Sequence, residues 1–257
     1  MCIAAVCAPV PSARAGSWPA PPGKGQIIQT NLAVKATKSF DMTGELGQPA
    51  VFSKYEAGVF WEHGLNEKTT LVVTSSYQDL NFRAGVDNVK FKGFGETGIG
   101  LRRVLWRDGS YIVSAQGTVI VAGTGEGVSD ADLGLGSTQY EARILAGRSF
   151  KLAGRDGFID GQAAWRFRAG RAPDEWRLDV SAGWHPMPEW QILAQTFYVD
   201  SQVAPGFARG TKRLKAQASL VYHKSERTSY QIGLYQTVLG ENIVQEKALF
   251  ISVWQRY

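Results

Sequence analysis

The chain has 257 residues, 44% of them hydrophobic, with 28 Lys and Arg against 23 Asp and Glu and a formal net charge of +5. No apolar run approaches the ~18 residues that a membrane-spanning helix needs, which excludes a helical membrane protein. The charges are interspersed, without a Lys/Arg cluster or a nucleic-acid motif, so we expect no nucleic-acid partner.

The first 15 residues predict a secretory signal peptide. Residues 1–10 are small and apolar, and Ser12-Ala13-Arg14-Ala15 supplies an A-x-A cleavage site. The lack of a basic start favours a translation start upstream of Met1, and a disordered extension is the alternative. Cleavage removes both cysteines, Cys2 and Cys7, and leaves a mature chain without thiols.

Residues 16–24 form a predicted lead-in on the periplasmic side, and 25–257 form one domain. From Gly25 onward, alternating segments of about ten to fourteen residues are separated by turn residues, which predicts strands. The predicted strands are 25–37, 54–64, 69–82, 94–106, 110–121, 139–152, 157–170, 175–185, 190–201, 211–224, 228–238 and 248–257. Twelve is an even number, and each strand is long enough to cross a bilayer at a tilt.

The alternation within these strands separates an apolar face from a charged face. Ala163, Trp165 and Phe167 share one face, whereas Arg166 and Arg168 share the other. This pattern is typical of a barrel with apolar residues outside and polar residues inside. A soluble β-sandwich would show the same period with the apolar face inward, so periodicity alone leaves both folds open.

The lengths of the connections favour the barrel. Five connections are tight (65–68, 107–109, 153–156, 186–189 and 225–227), and five that alternate with them are longer (38–53, 83–93, 122–138, 202–210 and 239–247). The segment 171–174 is the one exception. Short turns at one end and long loops at the other are typical of an up-and-down transmembrane barrel of about 12 strands, inserted from the periplasm.

Aromatic residues fall into two groups that match two membrane interfaces. Those beside the short turns are Trp61, Trp106, Tyr111, Trp184, Trp190, Tyr222, Tyr230 and Tyr257, and those toward the long loops are Tyr55, Tyr77, Tyr140, Trp176 and Tyr198. A general preference of aromatic residues for strand ends is the alternative.

The final strand ends the chain on an aromatic residue. Leu249, Ile251, Val253 and Tyr257 share one face, and this ending resembles the last strand of bacterial outer-membrane β-barrels, which the insertion machinery recognises. Gln255 departs from the apolar residue that this pattern favours two positions before the end. The resemblance implies outer-membrane lipid and the insertion machinery as partners.

Two short motifs carry a narrower resemblance. The start Pro21-Pro22-Gly23-Lys24-Gly25-Gln26-Ile27-Ile28 and the segment Glu62-His63-Gly64-Leu65-Asn66 are similar to barrels of the phenol-degradation MetA-pathway family. The resemblance implies a barrel of the transport or passive-uptake kind, and it supplies no binding residues to carry over.

Charged residues on the inward face are the predicted solute contacts. They are Arg166, Arg168, Arg177, Asp160, Asp179, Glu141, Arg143 and Lys215, and Glu56, Glu62, Glu96 and Arg102 share the inward parity. We expect Arg166, Arg168 and Arg177 to contact an anionic solute. Mutual neutralisation by salt bridges is an equally strong alternative.

Three weaker patterns concern chemistry. Residues 123–127 with Asp130 and Asp132 resemble a Ca²⁺ loop but lack its spacing. His223 and Ser225 form a His-x-Ser pair similar to that of an outer-membrane lipid A deacylase family, and His63 or His185 are candidate phospholipase bases without a partner. We expect no catalytic residue, no metal and no cofactor.

The leading hypothesis is therefore a barrel in the outer membrane of a Gram-negative bacterium that gives passive or selective passage to small polar or anionic solutes. The alternatives are an outer-membrane enzyme acting on lipid or lipopolysaccharide, and a closed structural barrel that scaffolds an envelope partner.

Overall fold

The computed structural model describes residues 16–84, 87–126, 138–169, 173–201 and 210–257. The predicted signal peptide lies outside the described residues. The strands are β1 (Gly25–Phe40), β2 (Leu46–Gly64), β3 (Thr69–Ala84), β4 (Asp87–Phe94), β5 (Thr97–Asp108), β6 (Tyr111–Val121), β7 (Thr124–Glu126), β8 (Gln139–Leu152), β9 (Arg155–Arg168), β10 (Glu175–Met187), β11 (Trp190–Ser201), β12 (Thr211–His223), β13 (Thr228–Glu241), β14 (Ile243–Val244) and β15 (Lys247–Arg256). A helix with the length and apolarity to cross a bilayer does not occur among these residues.

Twelve of the described strands close into one antiparallel barrel. Each long strand pairs with the next long strand along the chain, and β1 pairs with β15 from Gln26 opposite Arg256 to Lys35 opposite Lys247. A closed ring leaves no unpaired sheet edge, which is the condition for a β-structure in a bilayer. The predicted up-and-down barrel is confirmed, and the sandwich is excluded.

Short strands extend the wall at the long-loop end. β4 continues the pairing of β3, β7 pairs with β4, and β14 pairs with the end of β1. The prediction of loops over 38–53 and 83–93 is therefore wrong for much of both segments.

Both errors have a physical reason. Leu46 to Pro49 of β2 are exposed at successive positions, so no alternation marks them as a strand. β4 contains Asp87, Asn88 and Gly93, which are residue types depleted in strands. Backbone hydrogen bonds to the neighbouring strand hold these segments in an extended conformation instead.

The outer face of the barrel is apolar. Leu249 and Ile251 on β15 are 58% and 56% exposed, and Leu178 on β10 is 49% exposed, while residues of the opposite parity are covered. Large aliphatic side chains exposed on the same face of consecutive strands form a lipid-contacting surface. The predicted sidedness, with apolar residues outward, is confirmed.

The tight connections lie together at one end of the barrel, which we call the short-turn end. Here Trp61 Nε1 donates a hydrogen bond of 2.8 Å to the Tyr257 hydroxyl, which joins the first hairpin to the last residue. The rings of Trp190 and Tyr222 pack at 4.9 Å on neighbouring strands. These aromatic side chains belong to the predicted interface group at this end.

Candidate functional site

The inner face of the barrel surrounds a cavity of about 1030 Å³. Six arginines and four carboxylates are among its lining residues: Arg102, Arg143, Arg166, Arg168, Arg177 and Arg213 with Glu96, Glu141, Glu175 and Asp179. Most of these charges project from β8, β9 and β10, because successive inward positions on these strands are Glu141 and Arg143, Arg166 and Arg168, and Glu175, Arg177 and Asp179. We call this side of the lumen the arginine wall.

Glu141 is the centre of the arginine wall. Arg143 Nε donates to its carboxylate at 2.9 Å, and Arg166 donates through Nε at 3.0 Å and Nη2 at 2.9 Å. The Arg177 guanidinium lies 4.0 Å from the same carboxylate. One carboxylate therefore holds three guanidinium groups together, and none of the three is fully neutralised by it.

Two further carboxylates fix the arginines in position. Glu175 accepts hydrogen bonds from Arg177 at 3.0 Å and forms an ion pair with Arg168 at 2.7 Å. Arg143 Nη1 donates to Asp179 at 2.5 Å. Because a guanidinium carries five N–H donors, each arginine keeps donors that can bind another anion.

Arg213 on β12 carries a charge without a close partner. Its side chain lines the cavity, but no described residue forms a hydrogen bond or a short ion pair with it. Arg102, by contrast, is neutralised by Glu62 at 2.7 Å. Once that pair is set aside, the described lining contains five arginines and four carboxylates, which leaves an excess of positive charge.

Opposite the arginines, the described residues that line the cavity are uncharged, and Glu56 on β2, which accepts a hydrogen bond from Gln78 at 2.9 Å, is paired with Lys54. The uncharged lining consists of hydroxyl, amide and apolar side chains from β1, β3, β13 and β15: Ile28, Thr30, Leu32, Thr74, Ser76, Gln78, Gln231 and Ser252. A solute in the cavity would therefore meet cationic donors on one side and neutral groups on the other.

The N-terminal segment enters the lumen at the short-turn end. Residues 16–20, which we call the plug, lie within the barrel mouth. Asp160 accepts hydrogen bonds from the Ser17 backbone N–H at 2.9 Å and from the Ser17 hydroxyl. Ser114 Oγ donates to the Ser17 carbonyl at 2.6 Å, and Arg102 Nη2 donates to the Trp18 carbonyl at 3.0 Å. The backbone of the plug thus hydrogen-bonds to polar side chains of the barrel.

Trp18 anchors the plug in an apolar cluster. Its side chain is 6% exposed and packs among Ile112, Phe158, Leu193, Val221 and Trp254. The rings of Trp18 and Phe158 meet edge to face, with centroids 5.8 Å apart. Burial of a complete indole typically contributes several kcal/mol, which is enough to hold a short segment in place.

Two glycines make room for the plug. A Cβ atom on Gly147 would lie 2.6 Å from the Trp18 ring, and a Cβ on Gly64 would lie 2.4 Å from the Ala20 carbonyl oxygen. Both distances are far below van der Waals contact. The barrel wall is therefore shaped to receive this segment.

Six of the eight predicted solute contacts line the cavity: Glu141, Arg143, Arg166, Arg168, Arg177 and Asp179. Asp160 is 1% exposed and faces the plug, so its carboxylate is occupied by Ser17. Lys215 pairs with Glu246 at 2.5 Å and lies 4.8 Å from the Tyr235 ring centroid, outside the cavity lining. These two residues are inward-facing as expected, but the structure does not present them to the cavity.

Sequence reasoning missed Arg213, Glu175 and the plug. Arg213 and Glu175 have the same parity as Lys215 and Arg177, so a stricter use of alternation finds them. No local pattern indicates that Ser17 and Trp18 enter the lumen.

The weaker chemical candidates are also placed by the structure. His223 Nδ1 lies 2.8 Å from the hydroxyl of Ser229, whereas Ser225 Oγ accepts backbone hydrogen bonds from Arg227 and Thr228 within a turn. His63 stacks on the Tyr257 ring.

Asp130 and Asp132 of the candidate Ca²⁺ loop lie outside the described residues. Within the described residues, no group of three or more His, Cys, Asp or Glu is arranged to hold a metal ion.

No protein-family model matches the chain, and no curated protein matches it in sequence. An outer membrane channel from Pseudomonas putida F1 has a similar structure, with a TM-score of 0.71 and 13% identity over 95% of this chain and 100% of that one.

Two further solved structures are similar. The translocator domain of the autotransporter NalP from Neisseria meningitidis has a TM-score of 0.57 and 11% identity over 96% of this chain and 91% of that one. A KdgM porin in complex with disordered oligogalacturonate has a TM-score of 0.54 and 7% identity over 90% and 98%. At these identities the similarity establishes the fold, which is that of bacterial outer-membrane β-barrels.

Proposed function

We propose that this protein is a channel in the outer membrane of a Gram-negative bacterium and gives passive passage to small anionic solutes. The observation that carries the proposal is the arginine wall together with Arg213 on β12, two strands from β10, which forms no short ion pair with a described residue. Guanidinium groups that are held in place by shared carboxylates form a preorganised anion path, because they need no rearrangement when a solute arrives.

The similar structures support the coarser part of this proposal. One is a channel, and one is a porin in complex with oligogalacturonate, a polymer that carries carboxylates. The NalP translocator domain has a similar barrel but belongs to an autotransporter, so the fold by itself does not assign passage of small solutes. The charge of the lumen is the more specific argument.

The plug sets a limit on the passage. Trp18 and its apolar neighbours occupy the short-turn end, so a solute leaves the cavity only when the plug shifts or through the space beside it. We therefore expect low basal conductance with a preference for anions.

Planar-bilayer recordings in a KCl gradient test the proposal, because the reversal potential reports the ratio of anion to cation permeability. We expect a reversal potential on the anion-selective side, reduced at high salt since screening weakens the lumen charges. Arg213→Gln should lower the selectivity. Arg103→Gln, which changes an exposed arginine on the outer face of β5, is the control and should leave it unchanged.

Cation selectivity in the wild-type protein, or equal selectivity of the Arg213→Gln and wild-type proteins, contradicts the proposal. The plug also favours a second candidate, a closed barrel with a structural role. If neither the wild-type protein nor a Trp18→Ala variant conducts ions, the closed barrel is the better assignment.

A further inference from the structure

Two lysines face each other on the outer wall of the barrel. Lys35 on β1 lies directly opposite Lys247 on β15, and both side chains are exposed. Like charges at directly opposed positions destabilise a sheet. Across the described residues, no ion pair or hydrogen bond to a side chain relieves this pair, and the next neighbours in the row are the uncharged Ser53 and Gln236.

Two other lysines at this end lie opposite an acidic residue. Lys212 on β12 is opposite Glu241 on β13, with an ion pair of 3.1 Å, and Lys92 on β4 is opposite Asp79 on β3. The arrangement of Lys35 and Lys247 is therefore not the general pattern of the wall. It leaves two positive charges that an external anion could neutralise.

The height of the pair on the barrel corresponds to a membrane interface. Lys247 is ten positions before Tyr257, which lies in the aromatic group at the short-turn end. At ~3.3 Å per residue and a tilt of ~45°, these positions span ~23 Å across the membrane, close to the ~25 Å of an apolar barrel band. Lys35 and Lys247 therefore lie at the headgroup level near the long loops.

An apolar groove lies directly beneath the lysines. The row below them is Leu234, Leu249, Ala33 and Tyr55, which pair in sequence across β13, β15, β1 and β2. Asp79 on β3 continues this row and also lines the groove, two strands from Lys35 and with Lys92 opposite it. The small side chain of Ala33 lies between Leu249 and Tyr55, which are 58% and 50% exposed, and the groove has a volume of about 640 Å³. It therefore has the dimensions to hold part of a hydrocarbon chain.

We propose that this groove binds the lipid A part of lipopolysaccharide, with a phosphate between the ammonium groups of Lys35 and Lys247 and an acyl chain against Ala33. The assignment to lipid A rests on the outer-membrane location in the proposed function, with the long loops outside. It does not depend on conduction. A phosphate next to acyl chains matches the charge above and the apolar groove below, whereas a free anion would use the lysines alone.

Thermal unfolding of the detergent-solubilised barrel tests this site with three additives: lipid A, the same lipid A with its phosphates removed, and inorganic phosphate. We expect lipid A to raise the unfolding temperature, and the other two additives to have little effect. The informative variant is Lys247→Glu, which places a carboxylate opposite Lys35. Without lipid it should unfold at a higher temperature than the wild-type protein, and it should bind lipid A at least tenfold more weakly.

The control is Lys224→Glu, which makes the same charge change at the short-turn end and should respond to lipid A as the wild-type protein does. An undiminished response of Lys247→Glu overturns the proposal. An equal response to dephosphorylated lipid A shows detergent-like binding, and an equal response to inorganic phosphate shows a simple anion site, and either result overturns it as well. None of these measurements uses conductance, so a result that overturns the lipid A site leaves the proposed channel function unaffected.

Discussion

Asp160 on β9 accepts two hydrogen bonds from Ser17, a residue 143 positions earlier in the chain. The carboxylate that sequence parity assigns to a solute is thus occupied by the protein's own N-terminal segment. Together with Trp18, this contact makes the plug a part of the lumen.

Removing the anchor of the plug should increase conductance. In Trp18→Ala the indole no longer fills the space among Phe158, Leu193 and Trp254, so the segment loses most of its apolar contact with the wall. We expect a several-fold higher single-channel conductance in planar bilayers. Trp176→Ala, on the outer face of β10, is the matched control and should conduct as the wild-type protein does. Unchanged conductance of Trp18→Ala would show that the plug does not limit flow.

A glycine at position 147 should be required for stability only because the Trp18 indole packs against it. In Gly147→Leu the new side chain overlaps the indole, and overpacking of this kind costs about 1–3 kcal/mol. In a Trp18→Ala background the same substitution has space, so its cost should fall toward zero. Denaturant unfolding in lipid vesicles of the two single variants and the double variant gives the coupling energy. Additive effects would place the indole away from Gly147.

The arginines of the lumen should differ in their contribution to stability. Arg166→Met removes the ion pairs of this arginine with Glu141 and Glu96, although Glu141 keeps Arg143 and Glu96 keeps a hydrogen bond from Gln139, so we expect the free energy of unfolding to fall by about 1.5–3 kcal/mol. Arg213→Met removes no short ion pair to a described residue and should change it by less than about 1 kcal/mol. The same vesicle unfolding assay compares them, and equal losses would contradict the difference in pairing.

Tyr257 should have separable roles in assembly and in stability. Tyr257→Phe removes the hydroxyl that accepts from Trp61 but keeps the terminal ring, so we expect a loss of about 0.5–1.5 kcal/mol and normal assembly. If the insertion machinery binds the terminal aromatic residue, Tyr257→Ala should in addition slow assembly in cells, measured as heat-modifiable folded barrel over time. Equal assembly rates for the Phe and Ala variants would argue against recognition of the ring.

Most of the fold is predictable because its determinants are local. Trp165 and Arg166 fall on opposite faces of β9 for the same reason that all neighbouring residues in a strand do, and the apolar face is the one that contacts lipid. The predicted strand boundaries fail at the long-loop end. Leu46 to Pro49 of β2 show no alternation, and β4 contains Asp87, Asn88 and Gly93, which are depleted in strands.

The site is only partly predictable for a related reason. Parity indicates that Arg143, Arg166 and Arg177 face inward, but it does not indicate that all three share Glu141. Sharing of this kind depends on the register between β8, β9 and β10. Arg213 and Lys215 have the same parity on β12. The ion pair with Glu246 neutralises Lys215, whereas Arg213 has no short ion pair to a described residue, and parity does not indicate this difference.

Alternation, turn residues and the aromatic chain end are enough to specify twelve strands, their inward and outward faces and the short-turn end, because each of these depends on residues a few positions apart. Barrel closure decided the rest. It brings Lys35 against Lys247, Tyr257 against Trp61, and Ser17 against Asp160, and these contacts join residues far apart in the chain whose meeting is fixed by strand register and by packing inside the closed ring.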